Sequence, residues 1–170
     1  MFLKNTVYLY FLLLLGFLIT ACKKAPNYSK TPSISFSNLR VVSDLSDPDN
    51  PVDSVYISIH FQDGDGDIGD DARKDKDFLV KAYKKINGVY TYVDLGDYDY
   101  SGILPQAFSK VAGPLDGTIT QVTPFDYIVP NSLGFEKNDT LRFEIQIKDR
   151  ANNYSNVVQT TDYIMWKNFN

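Results

Sequence analysis

Cysteine is nearly absent: Cys22 is the single one in 170 residues. One thiol excludes an intrachain disulfide and any zinc site built from several cysteines. Histidine is as scarce. His60 stands alone and no Gly-x-Ser-x-Gly occurs, so a Ser-His-Asp hydrolytic centre would hang on that one ring. Basic residues are outnumbered, 17 against 21 acidic, and form no stripe. Nucleic acid is therefore excluded as a partner, because nothing stands ready to neutralise phosphates. Helical periodicity is missing along the whole chain.

What is present begins with an apolar run. Lys4 precedes it, Val7 to Thr20 is almost wholly apolar, and Lys23, Lys24 and Asn27 follow directly. About 14 residues fall short of the ~20 that span a bilayer. The order reads as a secretory signal peptide over residues 1–21, to be set aside before fold reasoning. Ile19-Thr20-Ala21-Cys22 resembles the lipobox of bacterial lipoproteins. The resemblance implies lipid on Cys22, membrane anchoring through it, and no thiol left for nucleophilic chemistry. Two or more acyl chains anchor a protein stably. Residues 22–31 read as a polar tether with Pro26 and Pro32 as breakers. The remaining 149 residues carry 16 basic and 21 acidic side chains, a formal charge of −5, and residues 32–170 make one ordinary domain.

Period-two alternation recurs after the tether. Ser33 to Leu39 alternates, and Val55, Ile57, Ile59 and Phe61 share one face of the next run. Successive strand side chains point to opposite faces, so each run has a buried and a wet side. Phe78–Lys85 leads through Asn87-Gly88 into Val89–Val93. Asn-Gly between two such runs is a hairpin signal, because both turn positions need positive φ. Thr118–Val122 and Phe125–Val129 read as two strands parted by Pro124; Asp139–Ile147 and Val157–Met165 complete the set. Seven to eight strands without a helix predict an all-β fold, an antiparallel immunoglobulin-like β-sandwich.

Asp63-Gly64-Asp65-Gly66-Asp67-Ile68-Gly69-Asp70-Asp71 follows the second run. So many carboxylates held close need full solvation, basic neighbours or a hard cation. Calcium takes six to eight oxygens, which aspartates and loop carbonyls supply. The run is not an EF-hand: the sixth position is Ile68 instead of glycine and the twelfth is Lys74 instead of glutamate. Missing ligands would come from elsewhere. In an immunoglobulin-like sandwich the loop after the second strand and the loop before the last lie at one end. Asp149 and Asn152 are the candidates there, completing a calcium set with Asp63, Asp65 and Asp67. The competing reading is a solvated turn balanced by Arg73, Lys74, Lys76 and Arg150.

Phe61 to Gly69, together with Asp139–Arg150 and Asn153-Tyr154-Ser155-Asn156, resembles small lipoproteins of Bacteroidetes-type bacteria that carry an immunoglobulin-like domain. That resemblance implies an outer-membrane address in the cell envelope. Similar signals elsewhere carry an acidic sorting stretch, which this chain lacks, so the periplasmic face is expected. Tyr90 and Tyr92 share a strand face and offer flat apolar rings for a glycan or an envelope protein, or else pack across the sheet. The expected function is a non-enzymatic binding or scaffold module, with a ligand-free structural spacer and a glycan-processing hydrolase as alternatives.

Overall fold

The computed structural model describes residues 25–70, 72, 74–95, 99–105, 113–126 and 134–169. The signal sequence, Cys22, Asp71, Arg73 and residues 127–129 of an expected strand lie outside the described residues. Eight strands are formed: β1 Ser33–Asp44, β2 Val52–Asp63, β3 Phe78–Ile86, β4 Val89–Val93, β5 Leu115–Asp126, β6 Thr140–Ile147, β7 Val158–Gln159 and β8 Tyr163–Ile164. No helix occurs among the described residues. One sheet has the order β1-β2-β5; the other runs β4-β3-β6-β7, with β8 also on β6. Every strand pairing is antiparallel. This is the expected β-sandwich, with β3 and β4 paired as the Asn87-Gly88 hairpin predicts.

Val55, Ile57, Ile59 and Phe61 are each at most 1 % exposed and face Phe78, Phe143, Ile145 and Ile147 of the other sheet in one core. Asn87 and Gly88 take φ of 51° and 84°, the two-residue turn that a right-twisted hairpin favours. β1 runs beyond the expected Leu39 and contains a bulge between Phe36 and Asn38. The bulge switches parity, so Ile34 and Phe36 point inward before it and Leu39 and Val41 after it.

Pro124 does not end a strand. β5 passes through it, pairing Ser54 with Pro124. β5 is a sheet edge, where one side of the backbone has no ladder and a residue without an N–H is tolerated. The Pro124 carbonyl accepts a hydrogen bond from Tyr100 Oη. The expected last strand is broken in two. Ser155 and Thr160 each donate their N–H to a carbonyl of β6 (Ile147 and Phe143) and take the return N–H on their hydroxyls. The side chain thus replaces a backbone acceptor, and the register with β6 slips by one residue between β7 and β8.

The end of the sandwich where β2 begins is closed by a buried carboxylate. Asp53 is 2 % exposed, and its Oδ2 accepts Tyr163 Oη at 2.8 Å and the Trp166 N–H at 2.9 Å. Burial and that carboxylate push the Tyr163 hydroxyl far above its usual range. Trp166 Nε1 donates to the Phe125 carbonyl, so the C-terminal segment is fastened over the core. Asp53→Ala leaves a buried hydroxyl and a buried N–H without an acceptor, and should cost about 3 kcal/mol in denaturant unfolding. Ser58→Ala, which removes only an exposed contact to Thr120, should cost under about 0.5 kcal/mol.

Candidate metal centre

Strand parity places the first carboxylate. Asp63 continues the inward-facing set of β2 and is fully buried. The chain then curls, with Gly66 and Gly69 at φ of 72° and 75°. One carboxylate oxygen from each of Asp63, Asp65 and Asp67 lies within 4.8 Å of the other two. Ile68, 1 % exposed, joins the hydrophobic core and fixes the far side of the turn.

The glycines are required for space as well as for φ. A Cβ on Gly66 would stand 2.2 Å from the Gly113 carbonyl oxygen, and one on Gly69 would stand 2.3 Å from that of Pro105. At Gly64 it would stand 2.4 Å from the Tyr28 carbonyl oxygen. The Gly64 N–H donates to the Ser29 carbonyl at 2.7 Å and the Asp70 N–H to that of Leu104 at 3.0 Å. The acidic loop is therefore walled by the N-terminal segment, by Leu104 and Pro105, and by Gly113. Asp77, fully buried, ties the same end together: its Oδ1 accepts the Leu104 N–H and its carbonyl accepts the Lys148 N–H.

Electrostatics sets this cluster apart. Asp63 Oδ2 accepts the N–H groups of Gly66 and Asp67 at 2.8 and 3.0 Å. Asp63 Oδ1, Asp65 Oδ1 and Asp67 Oδ1 are each shielded from water and accept no hydrogen bond. Ion pairs among the described residues join His60 to Asp116, Lys76 to Asp99, Lys84 to Asp139 and Arg142 to Asp162; none reaches the three aspartates. Burial pushes the Asp63 carboxyl above its usual range. The two backbone N–H groups pull it back, and the charges of Asp67 and Asp65 add to the rise. Asp67 is raised by burial, then by Asp149 and Asp65, against the Ala151 N–H and Arg150. Two unit charges about 4 Å apart repel by about 4 kcal/mol at an effective dielectric of 20. That is a large share of a domain's whole stability of about 5–15 kcal/mol.

The loop between β6 and β7 meets this cluster. The Arg150 N–H donates to the Asp67 carbonyl, and the Ala151 N–H to Asp67 Oδ2, each at 3.0 Å. The Arg150 guanidinium spends its hydrogen bonds on the carbonyls of Gly69 and Gly66. Asp149 is fully buried, but its two oxygens accept the backbone and side-chain N–H groups of Asn153. It lies outside the three-carboxylate group. Asn152 is exposed, at φ 67°, and forms the left-handed corner of that turn. Lys74 is exposed and Lys76 is engaged by Asp99, so neither is an ion-pair partner of the cluster.

Tyr90 and Tyr92 stand with Tyr83 on the outer face of the second sheet. Tyr83 donates to Glu144 and Tyr90 to Asp162, and the Arg142 guanidinium lies 4.0 Å over the Tyr90 ring. Tyr92 packs edge-on against Tyr83 yet stays 55 % exposed. It forms one wall of a cleft of about 300 Å³ that Leu79, Lys81, Asp94 and Asp99 also line. His60 is 40 % exposed on the outer face of the first sheet, 3.1 Å from Asp116.

Ile68, Asp77 and the packed glycines escape sequence reasoning. Ile68 carries the one usable signal, as the single large apolar residue within the acidic run. No helix among the described residues is long and apolar enough to cross a membrane. The chain matches no protein-family model, no curated protein and no solved structure.

The packing around the glycines makes a direct prediction. Gly66→Ala forces a Cβ into the Gly113 carbonyl and should destabilise by more than about 2 kcal/mol. Gly88→Ala, at φ 84° with nothing within 4 Å of its Cβ, carries only the left-handed penalty of about 1–2 kcal/mol. Equal losses in urea unfolding would contradict the packing argument.

Proposed function

We propose that this protein is a lipid-anchored module of the bacterial cell envelope, non-enzymatic, whose acidic end is closed by calcium. The observation that carries the calcium reading is the set of three water-shielded carboxylate oxygens that accept no hydrogen bond. A hard divalent cation suits an all-oxygen donor set of this kind. Asp63, Asp65 and Asp67 would hold it, with loop carbonyls and water filling the remaining positions. The ion's role is structural: it cancels repulsion and fixes three loops at one end. Anchoring through Cys22 rests on the lipobox-like run and on the polar residues after it.

As a binding module, the protein would present Tyr92 beside its cleft to a glycan or to another envelope protein. A spacer role is favoured by a different observation, the use of Tyr83 and Tyr90 in bonds within the sheet. Hydrolysis has little support, since His60 lies on an open outer face beside Asp116.

Thermal melting of the membrane-extracted protein, in calcium and in chelator, tests the reading. A ligand at a hundred times its Kd adds about 2.7 kcal/mol, which should raise Tm by about 5–10 °C for a domain of this size. An unchanged Tm at millimolar calcium would overturn it.

A further inference from the structure

The N-terminal segment does not leave the domain freely. Tyr28 Oη donates to Asp116 Oδ2 at 2.6 Å, an oxygen that also takes Gln62 Nε2 at 2.9 Å. The next residue, Ser29, accepts the Gly64 N–H. Gly64 lies between Asp63 and Asp65, so the N-terminal segment is fastened to the backbone of the acidic loop itself. Its close approach to Tyr28 leaves no room for a side chain at Gly64. The next fixed point along the chain is the start of β1, where Ser33 pairs with Gln62 and the N–H and carbonyl of Ile34 are both held by the Asn156 side chain.

We infer that the cation at Asp63, Asp65 and Asp67 also locks residues 28–29 onto the domain, so that metal occupancy sets how far the domain stands from its membrane anchor. This rests on the calcium reading above. With the loop closed, Gly64 presents its N–H to Ser29, and the distance from the proposed anchor Cys22 is set by the residues up to Tyr28. Six residues reach ~20 Å when extended. Without the cation the three carboxylates repel, Gly64 shifts and the clasp opens. The leash from Cys22 then extends to Ser33, about eleven residues and ~37 Å. The acidic end faces the bilayer in the loaded state, because the chain leaves the domain there.

Amide hydrogen exchange on the full-length, membrane-extracted protein tests this, with thermal melting run on the same samples. Calcium should slow exchange at residues 27–31 on the order of tenfold and leave the turn at 45–50, outside this contact set, unchanged. Tyr28→Phe, which removes only the hydroxyl bond to Asp116, should keep the calcium-induced rise in Tm and lessen the slowing at 27–31. A calcium-induced rise in Tm with unchanged exchange at 27–31 would overturn the clasp and leave the metal site standing. No change in either readout would overturn both.

Discussion

Asp63, Asp65 and Asp67 bring a carboxylate oxygen each within 4.8 Å of the others, and each of the three has an Oδ1 out of contact with water and with any donor. Like charges so placed either take up protons, move apart or share a counter-charge. The cluster cannot simply swing into solvent. Asp63 is held by the parity of β2, Ile68 by the core, and the glycines by backbone on three sides. The constraint is thus a geometric one imposed on an electrostatic problem, and the acidic end of the sandwich is organised around it.

A second aspartate of β2 provides an internal comparison. Asp53 and Asp63 lie on the same inward face of one strand, and both are buried. Asp53 Oδ2 receives a tyrosine hydroxyl and a backbone N–H, so its burial is satisfied by the protein alone. Asp63 has donors for one oxygen and none for the other, and it stands beside two more carboxylates. The two aspartates thus differ in how burial is met: Asp53 by donors of the protein, Asp63 only in part, which is the contrast on which the proposed cation rests.

Much of the architecture was legible in the chain. Val55 to Phe61 alternates without error because both sheet faces see uniform surroundings, and Asn87-Gly88 announces its own φ values. Leu39 falls out of phase with Ile34 and Phe36, a trace of the bulge that a strict reading of the pattern could have caught. The juxtaposition of the Asp63–Asp67 and Asp149–Asn153 loops followed from topology. Its detail did not, because Asp149 turns both oxygens to Asn153 and leaves the cluster to three residues. Pro124 misled because its effect depends on whether the strand is an edge, which is a tertiary fact. The register slip at Thr160 and the clasp at Gly64 involve contacts between distant residues, and no local pattern encodes them.

The same loops that would hold the ion also receive Tyr28 and Ser29 of the N-terminal segment, so this segment, the cluster and the sheet meet at one end. The most direct test is isothermal titration of calcium into chelator-stripped protein at neutral pH, repeated with Asp65→Asn. One calcium per chain, with binding abolished or strongly weakened by Asp65→Asn, is the predicted result. No binding, or binding that Asp65→Asn leaves untouched, would contradict the account.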